Sequence, residues 1–346
     1  GNEVIVKTKI KSLTDVILTS SISTITRNFC NSQKHKMNKD GKSEDVADAK
    51  PLVEGSEDTD AFPFRSGGGA TRHVQEVRPM PRNIQTQQEF LSDVYKMDYP
   101  RRGKAIVINN KQFRSHLQLP DRNGTDQDAS ALSCRFAELD FDVELKNDLT
   151  VQQMLTLMKQ VAAEDHSDAD CFACAILTHG EDGEIFGVDG KIELKQLLEP
   201  FKGNKCETLA GKPKLFFIQA CRGTQFDDGA DLNVADASGI QDVEMGPPTT
   251  IHKIPAEADF LVAYSVVPGF YSWRNSTNGS WFIQALQHHL EQHGRDMDLL
   301  RILTRVNKSV AYNFQSNTSH PNMSRKKQIP CITSMLTKEV YFTPKD

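Results

Sequence analysis

The chain has 346 residues, 38% of them hydrophobic and 25% charged, which is the composition of an ordinary globular protein with room for one large or two medium domains. Its 41 basic and 46 acidic side chains leave a net charge of −5, which gives no general pull toward nucleic acid or an anionic membrane surface. No apolar run approaches the ~20 residues that span a bilayer, and no secretory or myristoylation pattern is found.

Residues 1–94 are dominated by Ser, Thr, Asp, Lys and Asn, with only three leucines in the first sixty positions and a glycine run at Gly67 to Gly69. Amphipathic stripes are missing there, so the stretch is expected to be mostly disordered. From about residue 95 the pattern becomes regular. KAIVIN (104–109) predicts a buried strand, Asp126 to Leu139 a helix, and DVEL (142–145) a second strand. Val151, Met154, Leu155, Met158 and Val161 keep helical spacing on one face. CFACAIL (171–177) predicts a third strand, IELKQLLEPF a short helix, and KLFFIQA (214–220) a fourth strand. Residues 223–252 contain no Lys or Arg and read as an acidic linker too polar for a core. Then follow a strand at DFLVAYS (259–265), helices near 281–293 and 297–313, and a last strand at CITSML (331–336). Such alternation predicts an α/β protein, a mostly parallel sheet with helices on both faces.

Seven cysteines, at positions 30, 134, 171, 174, 206, 221 and 331, show no repeated framework. They read as reduced thiols. Cys171 and Cys174 form a C-x-x-C, but inside a buried-strand pattern, so core packing is expected rather than zinc or redox chemistry.

Open parallel sheets bind ligands beyond the carboxyl ends of their strands. Two polar signatures lie at such ends, THG after the third strand and QACRG after the fourth. A thiol is mostly protonated near neutrality and needs a base, and His is the side chain that can take and return a proton near pH 7. His179 and Cys221 are therefore the candidate pair. Gly180 leaves bare backbone whose N–H can face an oxyanion beside that of Cys221.

QACRG with an upstream His is a local signature of caspases. The resemblance is much wider. YKMDYPRRGKAIVINN, RNGTDQDA, LTHGEDGEIFG, KPKLFFIQACRGTQFDDG, KIPAEADFLVAYS, GFYSWRN, GSWFIQAL, ILTRVN and KKQIPCITSMLTKEVYF occur in this order. Together they resemble the executioner caspases, most nearly the three/seven subgroup. The resemblance implies a caspase-like three-layer sandwich around a mostly parallel six-stranded sheet. It implies a disordered prodomain (1–94), a large subunit (95–236), an acidic intersubunit linker (223–252) and a small subunit (243–346).

It also implies an aspartate-specific cysteine endopeptidase, made as a zymogen and cutting cellular proteins after D-x-x-D sequences during apoptosis. Cys221 would be the nucleophile and His179 its acid–base partner, with Gly180 and Cys221 forming the oxyanion site. Arg122, Arg274 and Gln219 would hold the substrate aspartate; guanidinium forks pair planar carboxylates bidentately. Tyr271 and Trp273 would wall the pocket two residues before the cut, and Asn275 and Trp281 the pocket four before it. Thr178 and Phe270 stand where the subgroup usually has Ser and Tyr, and residues 316–325 diverge from it. Activation would follow a cut after Asp236 in NVADASG, with Asp242 as a second site, and prodomain removal after Asp60 or Asp93. The implied partners are protein substrates, an initiator caspase, inhibitor-of-apoptosis proteins and a second copy in a homodimer, in the cytoplasm and nucleus, with no cofactor, metal, nucleic acid or membrane. Three rivals are a relative cutting after basic residues, a catalytically dead regulator and a thiol-redox protein. The two arginines, the intact His and Cys, and the strand setting of Cys171 and Cys174 oppose them in turn.

Overall fold

The computed structural model describes residues 91–229 and 255–345, together with Glu89 and the strand Asp45–Ala47. The expected sites Asp60, Asp236 and Asp242 lie outside these residues, as do most of segment 1–94 and the body of the acidic linker.

In chain order the elements are β1 (Asp45–Ala47), β2 (Lys104–Asn109), α1 (Thr125–Glu138), β3 (Asp142–Asn147), α2 (Val151–Ala162), β4 (Phe172–Leu177), β5 (Gly180–Glu181), β6 (Glu184–Gly187) and β7 (Gly190–Glu193). They continue as α3 (Leu194–Leu198), β8 (Lys214–Gln219), β9 (Phe260–Tyr264), β10 (Trp273–Asn275), β11 (Gly279–Ser280), α4 (Trp281–His293), α5 (Leu299–Asn313) and β12 (Cys331–Ser334). Six strands form the central sheet in the order β12-β9-β8-β4-β2-β3. All its pairings are parallel except β12 with β9.

The apolar runs are continuous because both faces are covered. Ala105, Val107, Ala173, Ala175, Leu215 and Phe217 face one core with side chains of α1, α4 and α5. Ile106, Ile108, Phe172, Cys174, Ile176, Phe216 and Ile218 face the other, with α2 and α3. The expected three layers are therefore present. The helices start where local chemistry satisfies their first N–H groups. Thr150 and Gln153 form a reciprocal capping box at α2, and the Asp298 carboxylate accepts from Arg301 N–H at α5.

Cys171 and Cys174 sit three positions apart along extended chain, so they point into opposite cores. Neither can meet the other as a metal or redox pair. Cys134, on α1, is disulfide-bonded, which corrects the expectation of reduced thiols throughout; Cys171, Cys174, Cys206, Cys221 and Cys331 are free.

Two small antiparallel sheets were not expected. One is β5-β6-β7, and the other is β1-β10-β11. Their strands have only two to four residues, which leaves no periodicity to read. β1 also lies inside the stretch expected to be disordered.

Candidate active site

The carboxyl ends of β2, β4 and β8 lie side by side, since these strands are parallel neighbours. Each ends in polar residues: Asn109 and Asn110 after β2, Thr178 and His179 after β4, Gln219 to Cys221 at the end of β8. His179 and Cys221 thus share one edge. Gly180 shows how tightly they meet. A Cβ there would fall 2.7 Å from the Cys221 carbonyl oxygen and 2.8 Å from the Ala220 side chain. Only glycine fits between these backbones.

The His179 ring lies 4.7 Å from that of Phe113. Its Nε2 is 2.8 Å from the Pro120 carbonyl oxygen, which can only accept. Nε2 therefore carries the proton and Nδ1 holds the lone pair. Nδ1 is buried with no hydrogen-bond partner among the described residues. Burial, and then the charge of Arg122, push the imidazole down to about 3. The Cys221 sulfur is held by Ser272, whose N–H donates to it at 3.1 Å and whose carbonyl lies 3.8 Å away. Burial pushes this thiol up to about 12, against the Ser272 N–H and the Arg122 charge. The resting pair is thus a neutral thiol and a neutral imidazole, and attack requires the sulfur to turn from Ser272 and yield its proton.

The two candidate arginines, Arg122 in a loop and Arg274 on β10, are remote in sequence and arrive together. Arg122 is fully buried, donating to Thr125 Oγ1 at 2.7 Å and to the Asn110 carbonyl at 3.3 Å. Thr125 in turn donates to Asn109 Oδ1 at 2.8 Å. Arg274 donates from Nε to the Asn123 carbonyl at 2.8 Å. Between the two, Gly124 has φ +91°, and a Cβ there would lie 2.5 Å from the Asn275 carbonyl oxygen. The Asn-Gly turn is thus what lets the Arg122 loop dock on β10. Gln219 Nε2 donates to Ser272 Oγ at 2.8 Å, which closes the knot.

A Peptidase C14 family model, described as a caspase domain, matches residues 102–341. The chain belongs to the caspase family. It is 47% identical to Caspase-7 of Gallus gallus over 304 residues, covering 87% of this chain and 95% of that one. It is 50% identical to Caspase-3 of Bos taurus over 252 residues, covering 73% and 88%. Among solved structures, Caspase-1 from Spodoptera frugiperda aligns with a TM-score of 0.69 at 40% identity, covering 78% of this chain and 99% of that one. The chain is therefore an executioner caspase: a cysteine-type endopeptidase made as a zymogen and acting on proteins in apoptosis.

In this caspase the expected outer-pocket residues form an aromatic row. Tyr271 stacks on Phe226 at 4.4 Å, Phe226 lies 5.7 Å from Trp273, and Trp273 stacks on Trp281 at 5.8 Å. Trp281 begins α4, stacks on Phe314 at 5.5 Å and is buried, so it also does the core work its helical position suggests. Asn275 caps the β10–β11 hairpin, its Oδ1 accepting from Thr277 and Asn278 N–H. Thr178 keeps its hydroxyl in use, donating to the Phe186 carbonyl at 2.6 Å. Asp93 is exposed, but its backbone is pinned: its carbonyl accepts from Glu339 N–H at 2.8 Å.

Sequence reasoning missed Ser272, Phe226, Phe113 and the Asn109–Asn110 pair. Ser272, Phe226 and Phe113 sit in loops or strand margins without periodicity. The asparagines were findable, since they follow KAIVI at a strand end just as THG and QAC do.

Among the described residues no helix is long and apolar enough to cross a membrane.

Proposed function

We propose that Cys221 is the nucleophile and His179 the acid–base of this caspase, acting through Nδ1. The thiol proton passes to Nδ1 as Sγ attacks the scissile carbonyl carbon. The imidazolium then protonates the leaving amine, and water hydrolyses the thioester. Gly180 and Cys221 N–H groups stabilise the oxyanion. Arg122, Arg274 and Gln219 bind the aspartate before the cut, Tyr271 and Trp273 line the next pocket, and Asn275 and Trp281 the outer one.

The single observation behind this reading is the knot of Arg122, Asn123, Arg274, Ser272, Gln219 and Cys221, which gathers two buried guanidiniums and the thiol at one sheet edge. Buried cations at a strand-end nucleophile fit a carboxylate substrate. The division into prodomain (1–94), large subunit (95–236), linker (223–252) and small subunit (243–346) accompanies it. So do activation by an initiator caspase after Asp236 or Asp242, prodomain removal after Asp60 or Asp93, restraint by inhibitor-of-apoptosis proteins, a D-x-x-D preference, and action in cytoplasm and nucleus.

The test uses the linker-cleaved enzyme and three fluorogenic peptides: Asp-Glu-Val-Asp and its Asn-ended and Arg-ended variants. Hydrolysis of the Asp peptide alone, lost in Cys221→Ala, supports the reading. Hydrolysis of the Arg peptide, or undiminished activity in Cys221→Ala, sinks it.

A further inference from the structure

α5 buries Leu299, Ile302, Leu303, Val306 and Val310 against the sheet. Its outward positions Arg301, Arg305, Lys308 and Tyr312 recur at helical spacing and form one exposed stripe. The helix, LLRILTRVNKSVAYN, holds no Asp or Glu, although the chain as a whole is net negative at −5. A solvated helix face usually mixes both signs. Elsewhere on this surface cations find partners: Lys104, Lys191 and Lys202 each pair with a glutamate. Among the described residues, Arg301, Arg305 and Lys308 have no carboxylate in ion-pair contact.

The neighbouring helix adds to the same field. On α4, His289 Nε2 lies 2.7 Å from Ser309 Oγ of α5. Burial, and then the charges of His288, His293 and Arg305, push the His289 imidazole down. The stripe also begins at the groove. α5 ends at Asn313, and the next residue, Phe314, stacks on Trp281 at 5.5 Å. The Phe314 carbonyl accepts from Lys327 Nζ at 2.6 Å, which sets a further ammonium at this end. Tyr312, 66% exposed, is the first stripe residue away from that wall. From Tyr312 to Arg301 the helix rises about 16 Å, the length of about five extended residues. A nucleic-acid groove interleaves its cations with several stacking aromatics. Tyr312 is the stripe's one aromatic, so an acidic peptide fits it better.

We propose that the stripe from Tyr312 to Arg301 is an exosite for acidic residues lying about five to ten positions before the cut in protein substrates. The inference rests on the reading of Asn275 and Trp281 as the pocket four residues before the cut. A substrate chain leaving that pocket meets Tyr312 first, then Lys308, Arg305 and Arg301. Its carboxylates find guanidinium and ammonium groups that no carboxylate of the enzyme holds. Pairing at such an exposed rim acts mainly on encounter and KM, and salt screens it.

The test uses the linker-cleaved enzyme and fluorogenic peptides in which Asp-Glu-Val-Asp is preceded by Glu-Glu-Gly-Glu-Glu, by Gln-Gln-Gly-Gln-Gln, or by nothing. The readout is the ratio of kcat/KM for the acidic and the neutral extension, so a general loss of activity in a variant cancels. Wild type is expected to favour the acidic peptide about tenfold at low ionic strength, through KM, because several exposed ion pairs each contribute only a few-fold. The preference should fall below about twofold in roughly 0.5 M salt. The triple variant Arg301→Gln, Arg305→Gln, Lys308→Gln should bring the ratio near one, and the double variant Arg305→Glu, Lys308→Glu should invert it. A wild-type ratio near one, or a preference that persists in either variant or in high salt, overturns the exosite while the unextended peptide still reports the active site. Stripe-dependent binding of a labelled uridine oligonucleotide, without preference between the peptides, also overturns it and assigns the face to nucleic acid. No hydrolysis of the unextended peptide by wild type would overturn the reading of the site, and the exosite with it.

Discussion

Burial opposes the charge on Arg274, lowering its guanidinium to about 9, and lowers that of Arg122 to about 10. A fold that holds two such cations dry carries a desolvation cost that an incoming carboxylate offsets. Position alone does not meet this need, because a carboxylate is best gripped by a planar fork. Arg274→Lys keeps the charge and loses the fork. Its kcat/KM on the Asp-ended peptide should fall about 100-fold, the rough size of one charged bidentate contact, with the melting temperature little changed. A drop below threefold would remove Arg274 from the aspartate site. The residue types were legible in RNG and SWRN, but their meeting was not. Arg274 and its acceptor at Asn123 are 151 residues apart in sequence, and no local pattern encodes such a contact.

At the scale of elements, α1 is joined to β11 and the start of α4 through Asp128. Its carboxylate accepts from Ser280 N–H at 2.8 Å and from Ser280 Oγ at 2.5 Å. Burial pushes it up to about 7, although both Ser280 bonds and Arg122 pull it down. The folded value thus exceeds the ordinary ~3.9 of an unfolded Asp. Between about pH 4 and 7 the folded state binds more protons, so this contribution is full below that window and is lost as pH rises through it. Asp128→Asn should flatten this slope: wild type gains more stability than the variant on moving from pH 7.5 to 5, read by thermal melts. Parallel melts for the two proteins would show that Asp128 does not titrate there. Gly124 is the second joint. Gly124→Ala forces a left-handed φ on alanine and a clash with Asn275. It should cost about 1–3 kcal/mol of stability and lower kcat/KM by moving both arginines. An unchanged melt and rate would refute its role as the hinge of the site. The long elements around these joints were readable because they are periodic; α1 and α4 fall within one residue of their expected bounds. The strands β5, β6, β7, β10 and β11 were not, because each is a strand of two to four residues in a tight hairpin, too short to show a period of its own.

For the whole molecule, the six-stranded sheet is a device for bringing strand ends together. Parallel order places the tips of β2, β4 and β8 on one edge, while the acidic linker leaves from the same edge just after Cys221. Asp236→Ala should block the two-fragment pattern when an initiator caspase is added, as followed by gel and intact mass. Persistence of fragments with an unchanged end would assign activation to another residue.

The sequence by itself determined the family and the order of the long strands and helices along the chain, and it named the residues to which the proposed chemistry is assigned. These follow from residue chemistry and from local periods that a linear reading preserves. Tertiary structure alone decided which nitrogen of His179 lacks a hydrogen-bond partner among the described residues, that Ser272 holds the thiol, that Gly124 lets the Arg122 loop dock on β10, and that Asp45–Ala47 lies on the edge of β10. Each of these is a contact between distant segments, set by how the sheet orders its strands and packs its two faces. That order is a property of the folded chain as a whole, and no window of neighbouring residues contains it.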